Sequence, residues 1–151
     1  MTRTIIRVQR EDFDSAQESA ALTGNRADVG GIVTFVGYCR DEGGTLEALE
    51  LEHYPGMAEE ELGRIAAEAA GRWPLIGITI LHRFGRILPG EQIVMVLCAS
   101  GHRRAAFEAA DFLMDFLKSR APFWKKEHRR EGQSDEWVAA KTADEDALTR
   151  W

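Results

Sequence analysis

The chain has 151 residues, 44% of them hydrophobic and 29% charged, with 19 Lys and Arg against 25 Asp and Glu for a formal charge of −6. That size suits one domain over residues 1–151 with a real core. No apolar run approaches the ~20 residues of a membrane span, and MTRTIIRVQREDF lacks the apolar stretch and cleavage site of a secretory leader, so a cytoplasmic protein with no membrane partner is expected.

Taken in order, TIIRVQ (4–9) reads as a first strand and EDFDSAQESAAL (11–22) as a short helix with its acids early. A loop over 23–30 leads into GIVTFVGYCR (31–40), β-branched and aromatic, a strand ending in polar residues. DEGG (41–44) reads as a turn or a mobile loop. TLEALELEHY (45–54) alternates Leu49 and Leu51 with Glu50 and Glu52, which predicts one buried and one wet face. Pro55 and Gly56 break that strand. From Ala58, the residues Leu62, Ile65, Ala66, Ala69 and Trp73 recur at helical spacing up to Pro74. IGITILHRFG (76–85) reads as a strand, ILPGE (87–91) as a turn and QIVMVLCAS (92–100) as a central apolar strand.

A long helix is then expected from about His102 to Ala121, ending before Pro122. Its core stripe is Ala106, Ala110, Leu113, Leu117 and Ala121. A second stripe of Arg103, Phe107, Met114 and Lys118 predicts a partly covered lysine stem. EWVAAK (136–141) reads as a last strand and 143–151 as a terminal helical turn. Strands that follow one another through short turns favour an α+β domain, mainly antiparallel, over a doubly wound parallel sheet. Neither GxGxxG nor GxxxxGK[ST] occurs, so no dinucleotide loop or P-loop is present.

Cys39 and Cys98 form no CxxC pair, and the four histidines show no HxxxH or HExxH spacing, so neither a disulfide framework nor a metal site is expected. Buried small hydrophobes are the simpler reading of both cysteines. Cys39 precedes Arg40, a neighbour that favours a thiolate. The charge is uneven. Residues 118–130 hold six Lys and Arg and a single acid, Glu127. A cationic patch on an acidic body points to a specific anionic ligand rather than to nucleic acid, for which the whole domain is usually basic. A solvated helix end also explains it.

The polar groups at element ends are the candidate functional groups. Arg40 closes a strand, His102 and Arg103 open the long helix, and Lys118 and Lys125 bracket its far end. His102 alone reads as an exposed helix-start residue. A cation at a helix N-terminus opposes the dipole, which makes a bound anion near Arg103 reasonable. Lys118 is either a snorkelling lysine or, beside other cations, an acid, base or nucleophile. Phe123 and Trp124 read as core anchors. Arg103 and Lys118 lie fifteen residues apart, roughly 22 Å along a helix, so one small ligand reaches both only if a symmetric dimer brings one protomer's Arg103 to the other's Lys118.

Several stretches together, LEHYPGM (51–57), RWP (72–74), ILHRFGRILPGE (80–91), HRRAAFEAADFLMDFLK (102–118) and SRAPFWKKE (119–127), resemble the large, catalytic subunit of molybdopterin synthase, the MoaE family, over nearly the whole chain. The resemblance implies an α/β-hammerhead fold and a sulfurtransferase that turns cyclic pyranopterin monophosphate (precursor Z) into the dithiolene of molybdopterin. The sulfur would arrive as a thiocarboxylate on the C-terminal Gly-Gly of a small ubiquitin-like subunit, within a heterotetramer built on a dimer of large subunits. By the same resemblance Lys118 and Lys125 are the active-site lysines. Arg40, His102 and Arg103 hold the substrate's anionic group. Tyr38 and Cys39 add backbone or neutral contacts, and Lys126 and Glu127 continue the substrate-binding segment. No cofactor and no metal are implied. Two rivals follow from the residues themselves: a module that docks a ubiquitin-like partner without chemistry, and a phosphate- or nucleic-acid-binding domain whose binding would be steeply salt-dependent.

Overall fold

The apolar runs LIGITILHR and QIVMVLCAS have no alternate polar positions because both of their faces are covered. They form β4 (Leu75–Arg83) and β6 (Gln92–Ser100), the two inner strands of a four-stranded sheet. The computed structural model describes residues 1–130, 136–138 and 142–151. In β6, Val96 and Cys98 face a core built with α2 (Met57–Arg72) and α3 (Arg103–Ser119). Met95, Leu97 and Ala99 face the opposite side, where Phe13 and Leu22 of the N-terminal segment close the second core.

The outer strands of this sheet are β1 (Arg3–Gln9), parallel to β4, and β2 (Gly31–Tyr38), antiparallel to β6. A second four-stranded sheet has the order β5-β3-β7-β8, formed by Gly85–Ile87, Leu46–His53, Phe123–Arg129 and Glu136–Val138. All of its pairings are antiparallel. With α1 (Ser15–Thr23) and α4 (Thr142–Leu148), the class is α+β as expected, mainly antiparallel with one parallel pair.

Element bounds depart from the sequence reading where a local group intervenes. The first helix starts at Ser15 because the Asp14 carboxylate caps it, accepting from the Ala16 and Gln17 amides at 3.0 and 3.3 Å. The strand expected over 31–40 stops at Tyr38, where a register shift after Gly37 bends it away from β6. The long helix spans Arg103–Ser119 rather than 102–121, with His102 as its N-cap and Arg120 as its C-cap. Its buried face is broader than the stripe read from sequence and adds Ala105, Ala109, Phe112 and Phe116, while Leu117 and Ala121 are only half-buried. In the stripe of Arg103, Phe107, Met114 and Lys118, only Met114 is partly covered.

Two strands are new. β5 occupies the segment before the expected turn, and β7 occupies the charged stretch after Pro122. Residues 139–141 of the strand expected over 136–141 lie outside the described residues. The C-terminus is fastened to the helices: Trp151 packs edge-on against Trp73 and Phe112, and Arg150 pairs with Asp111 and Asp115.

Helix α3 runs alongside β2. Its first turn is seated by a close backbone approach, since a Cβ on Gly30 would stand 1.9 Å from the Gly101 carbonyl oxygen. The Gly30→Ala variant should lose about 1–3 kcal/mol of stability by denaturant melting, the usual cost of overpacking. An unchanged midpoint would show that the approach does not constrain the helix.

Candidate active site

Three elements bring polar groups to one place. The bend after Gly37 delivers Tyr38, Cys39 and Arg40. Cys39 is then held by backbone bonds to the turn Leu88–Glu91: its amide donates to Glu91 at 2.8 Å, and its carbonyl accepts from Gly90 at 2.7 Å. That turn needs Gly90, whose φ is +90°. The last turn of α3 supplies Lys118. Strand β7 supplies Lys125, Glu127 and Arg129 from alternate positions, which share one face of the sheet. These groups line a cavity of ≈340 Å³ with Leu46, Leu49, Ile93 and Val138 as its apolar lining.

The pairing of β7 with β3 sets which residues reach the cavity. Lys125 sits opposite Leu51, and Glu127 opposite Leu49, residues whose side chains are core. On the other face Lys126 sits opposite Glu50, and His128 Nε2 lies 2.7 Å from Glu50 Oε1. That hydrogen bond, the first of several causes, holds the Glu50 carboxyl below the usual range. Opposite charges across the strands thus stabilise a β7 with little apolar content of its own.

Among the described residues, cations outnumber carboxylates in the cavity lining. Arg40, Lys118, Lys125 and Arg129 line it against Glu42 and Glu127. Arg40 pairs with Glu42, and Arg129 with Glu127. Asp41 accepts from the Leu46 amide at 3.0 Å and stands 3.7 Å from Arg130, which ties the 41–45 segment to the end of β7. Burial pushes the Cys39 thiol up, helped by the nearby carboxylates of Glu91 and Asp41. Cys98, in the core, is pushed up to about 12 by burial alone. Burial first, and then the negative neighbours, thus raise the Cys39 thiol, contrary to the thiolate-favouring effect of Arg40 expected from sequence. No three His, Cys, Asp or Glu side chains stand together as metal ligands among the described residues.

Of the residues singled out in the sequence, Tyr38, Cys39, Arg40, Lys118, Lys125 and Glu127 surround this one cavity. Lys126 does not; its ammonium lies 5.8 Å from the centroid of Trp137 on the opposite face. His102 and Arg103 stand exposed at the far end of α3, beside Gly31 at the start of β2. Lys118 is exposed rather than covered along its stem, and the residues that precede it on its stripe are themselves half-buried or exposed. The sequence reading missed Glu42 and Arg129 as lining groups. Arg129 was detectable only by reading FWKKEHR as a strand, since 125, 127 and 129 then fall in one row. A larger depression of ≈510 Å³ around Arg10, His53, Phe84 and Arg86 holds none of the expected groups, and its cations are matched by Glu50 and Glu52.

The family model for the MoaE protein matches residues 8–120. The chain is 67% identical to the molybdopterin synthase catalytic subunit of Mesorhizobium japonicum over 97% of this chain and 92% of that protein. The structure is similar to the molybdopterin biosynthesis MoaE protein from Burkholderia ambifaria, with TM-score 0.83 and 47% identity over 100% of this chain and 98% of that one. It is also similar to molybdopterin synthase from Staphylococcus aureus, with TM-score 0.78 and 30% identity over 87% and 95% of the two chains.

Because both thiols are raised, the thiolate is scarcer at pH 7 than for an ordinary cysteine. The folded protein should resist iodoacetamide at pH 7, and denaturant should expose both cysteines. Rapid alkylation of Cys39 in the folded chain would contradict this environment.

Proposed function

The chain belongs to the MoaE family, and from that premise we propose how its cavity works. Its function is that of the catalytic subunit of molybdopterin synthase, a sulfur-transferring enzyme of molybdenum-cofactor biosynthesis. A catalytic subunit implies a second, smaller subunit as its partner. In this proposal the partner is ubiquitin-like and presents a C-terminal Gly-Gly thiocarboxylate, and the acceptor is cyclic pyranopterin monophosphate.

The observation that carries this reading is the convergence of Lys118 and Lys125, from α3 and β7, on a single cation-rich cavity. Both reactants are anions, a thiocarboxylate and a cyclic phosphate. Holding two anions within reacting distance in a chain of charge −6 requires a local excess of positive side chains. Lys118 and Lys125 orient the thiocarboxylate and the pterin side chain. One of them moves protons as sulfur attacks and as the cyclic phosphate opens. Arg40 neutralises phosphate at the mouth, and Tyr38, Cys39 and Glu127 shape the wall. The apolar lining of Leu46, Leu49, Ile93 and Val138 lowers the local dielectric and strengthens these charge contacts.

His102 and Arg103 enter through a second copy of the chain. Within one chain α3 holds them a helix length from Lys118, so they serve the same site only from a dimer partner. Phe35 on β2 and Phe107 on α3 remain 40% and 61% exposed, which supports a protein surface covering that side. The assembly is then a heterotetramer with the large-subunit dimer at its centre. Among the described residues no helix is long and apolar enough to cross a membrane, and a cytoplasmic site of action accords with that.

Turnover with thiocarboxylated small subunit and cyclic pyranopterin monophosphate tests the chemistry. Lys118→Ala should cut the rate by about 10²–10⁴-fold, the range for loss of an acid–base group, with small-subunit binding kept. Equal turnover by the variant would remove Lys118 from the chemistry, and no product from either protein with the small subunit still bound would leave a docking module. Mixing Arg103→Ala with Lys118→Ala chains tests the shared site: random pairing should restore about one quarter of wild-type activity, because one composite site per mixed dimer is intact. No recovery in mixed dimers would place both residues in the same protomer's site.

A further inference from the structure

Strand β4 directs Ile78 and Ile80 into the core beneath α3, and the next position on that face is His82. A histidine in line with two core isoleucines is buried, only 5% exposed. It stacks on Phe123, the first residue of β7, with ring centroids 3.7 Å apart and planes 11° from parallel. His82 Nδ1 lies 2.8 Å from the Arg83 carbonyl oxygen. A carbonyl only accepts, so Nδ1 carries the proton and Nε2 keeps its lone pair. That carbonyl cannot drift, because the Arg83 side chain is itself tied to the Arg10 and Gln92 carbonyls at 2.9 and 2.7 Å.

His82 lines a recess of ≈40 Å³ with Met114, Leu117, Lys118 and Lys125. Tyr38, Ile93, Lys118 and Lys125 also line the larger cavity, so the recess is its inner end. Its volume holds about one water, too little for a pterin. Nε2 makes no hydrogen bond among the described residues, and it is not among the side-chain atoms sealed from solvent without a partner.

We propose that His82 is a positioning residue of the sulfur-transfer site, presenting its Nε2 lone pair to the ammonium groups of Lys118 and Lys125, directly or through one water, and so fixing where those ammoniums stand. This rests on the sulfur-transfer reading of the cavity. The ring suits the task because it stays neutral: burial, the largest cause, pushes His82 down to about 3, opposed by the Arg83 hydrogen bond, the next in size, and aided by the lesser effects of Lys125, Lys118 and His53. A group that remains unprotonated at neutral pH accepts hydrogen bonds throughout turnover and does not compete with the lysines for the proton. Stacking on Phe123 also links the ring to the strand that carries Lys125.

Two variants separate the acceptor from the ring. His82→Phe keeps a flat ring against Phe123 and removes the lone pair. His82→Gln places an amide oxygen near the position of Nε2. With saturating thiocarboxylated small subunit, the Phe variant should lose about 10- to 100-fold in kcat, the scale of a misplaced reacting group, with KM for cyclic pyranopterin monophosphate within about twofold and Tm close to wild type. The Gln variant should recover most of kcat. Wild-type kcat in the Phe variant overturns the proposal, as does an equal loss in both variants accompanied by a lowered Tm. Nitrogen-15 NMR of the wild-type chain reads the tautomer without any turnover: an unprotonated Nε2 from pH 5 to 9 is expected, and a protonated Nε2 overturns the proposal. A wild-type enzyme with no turnover would instead defeat the sulfur-transfer reading on which the role depends.

Discussion

The antiparallel pairing of β7 along β3 is the constraint on which the site depends. It sets Lys125 across from Leu51 and Glu127 across from Leu49. A slip of one residue would turn every side chain of β7 to the other face, moving Lys126 and His128 into the cavity and Lys125, Glu127 and Arg129 out of it. The register is held from both sides. Core leucines fix one face, and on the other Glu50 meets Lys126 and His128. The helix before β7 fixes the remaining coordinate, since Lys118 leaves its last turn just before the chain reverses through Arg120–Pro122.

Electrostatics inside the cavity run against the sign of the chain as a whole. Among the described residues four cations line it, against Glu42, which pairs with Arg40, and Glu127, which pairs with Arg129. The buried ionisable groups nearest to it are held uncharged, His82 as the free imidazole and Cys39 as the thiol. Charge that can change hands is thereby concentrated on the lysines. This division of labour suits the proposed reaction, in which the partner brings the nucleophilic sulfur and the large subunit contributes position and proton management.

Much of this was legible in the sequence, for physical reasons. The alternation of Leu49 and Leu51 with Glu50 and Glu52, the uninterrupted QIVMVLCAS run and the helical spacing of Leu62, Ile65, Ala66 and Ala69 each report a burial pattern that the fold realises. The cationic cluster at 118–130 was visible as charge. Its geometry was not, because β7 has no apolar alternation and is a strand only through its neighbours. β5 is three residues long and begins at Gly85, with φ +89°, too short for any periodicity. Lys126 illustrates the consequence: composition groups it with Lys125, while strand geometry puts the two on opposite faces. His82 was hidden for the converse reason, since one histidine at the end of a core strand carries no signal until its ring partner and its lysine neighbours are in place.

The most direct test compares two adjacent lysines. Turnover of Lys125→Ala and Lys126→Ala should be measured with saturating thiocarboxylated small subunit and cyclic pyranopterin monophosphate. The β3–β7 register predicts that losing Lys125 abolishes most of the rate and that losing Lys126 leaves the rate within about threefold, the small effect usual for an exposed charge outside the site. Equal losses in both variants, or a greater loss at Lys126, would contradict the register and the site built on it.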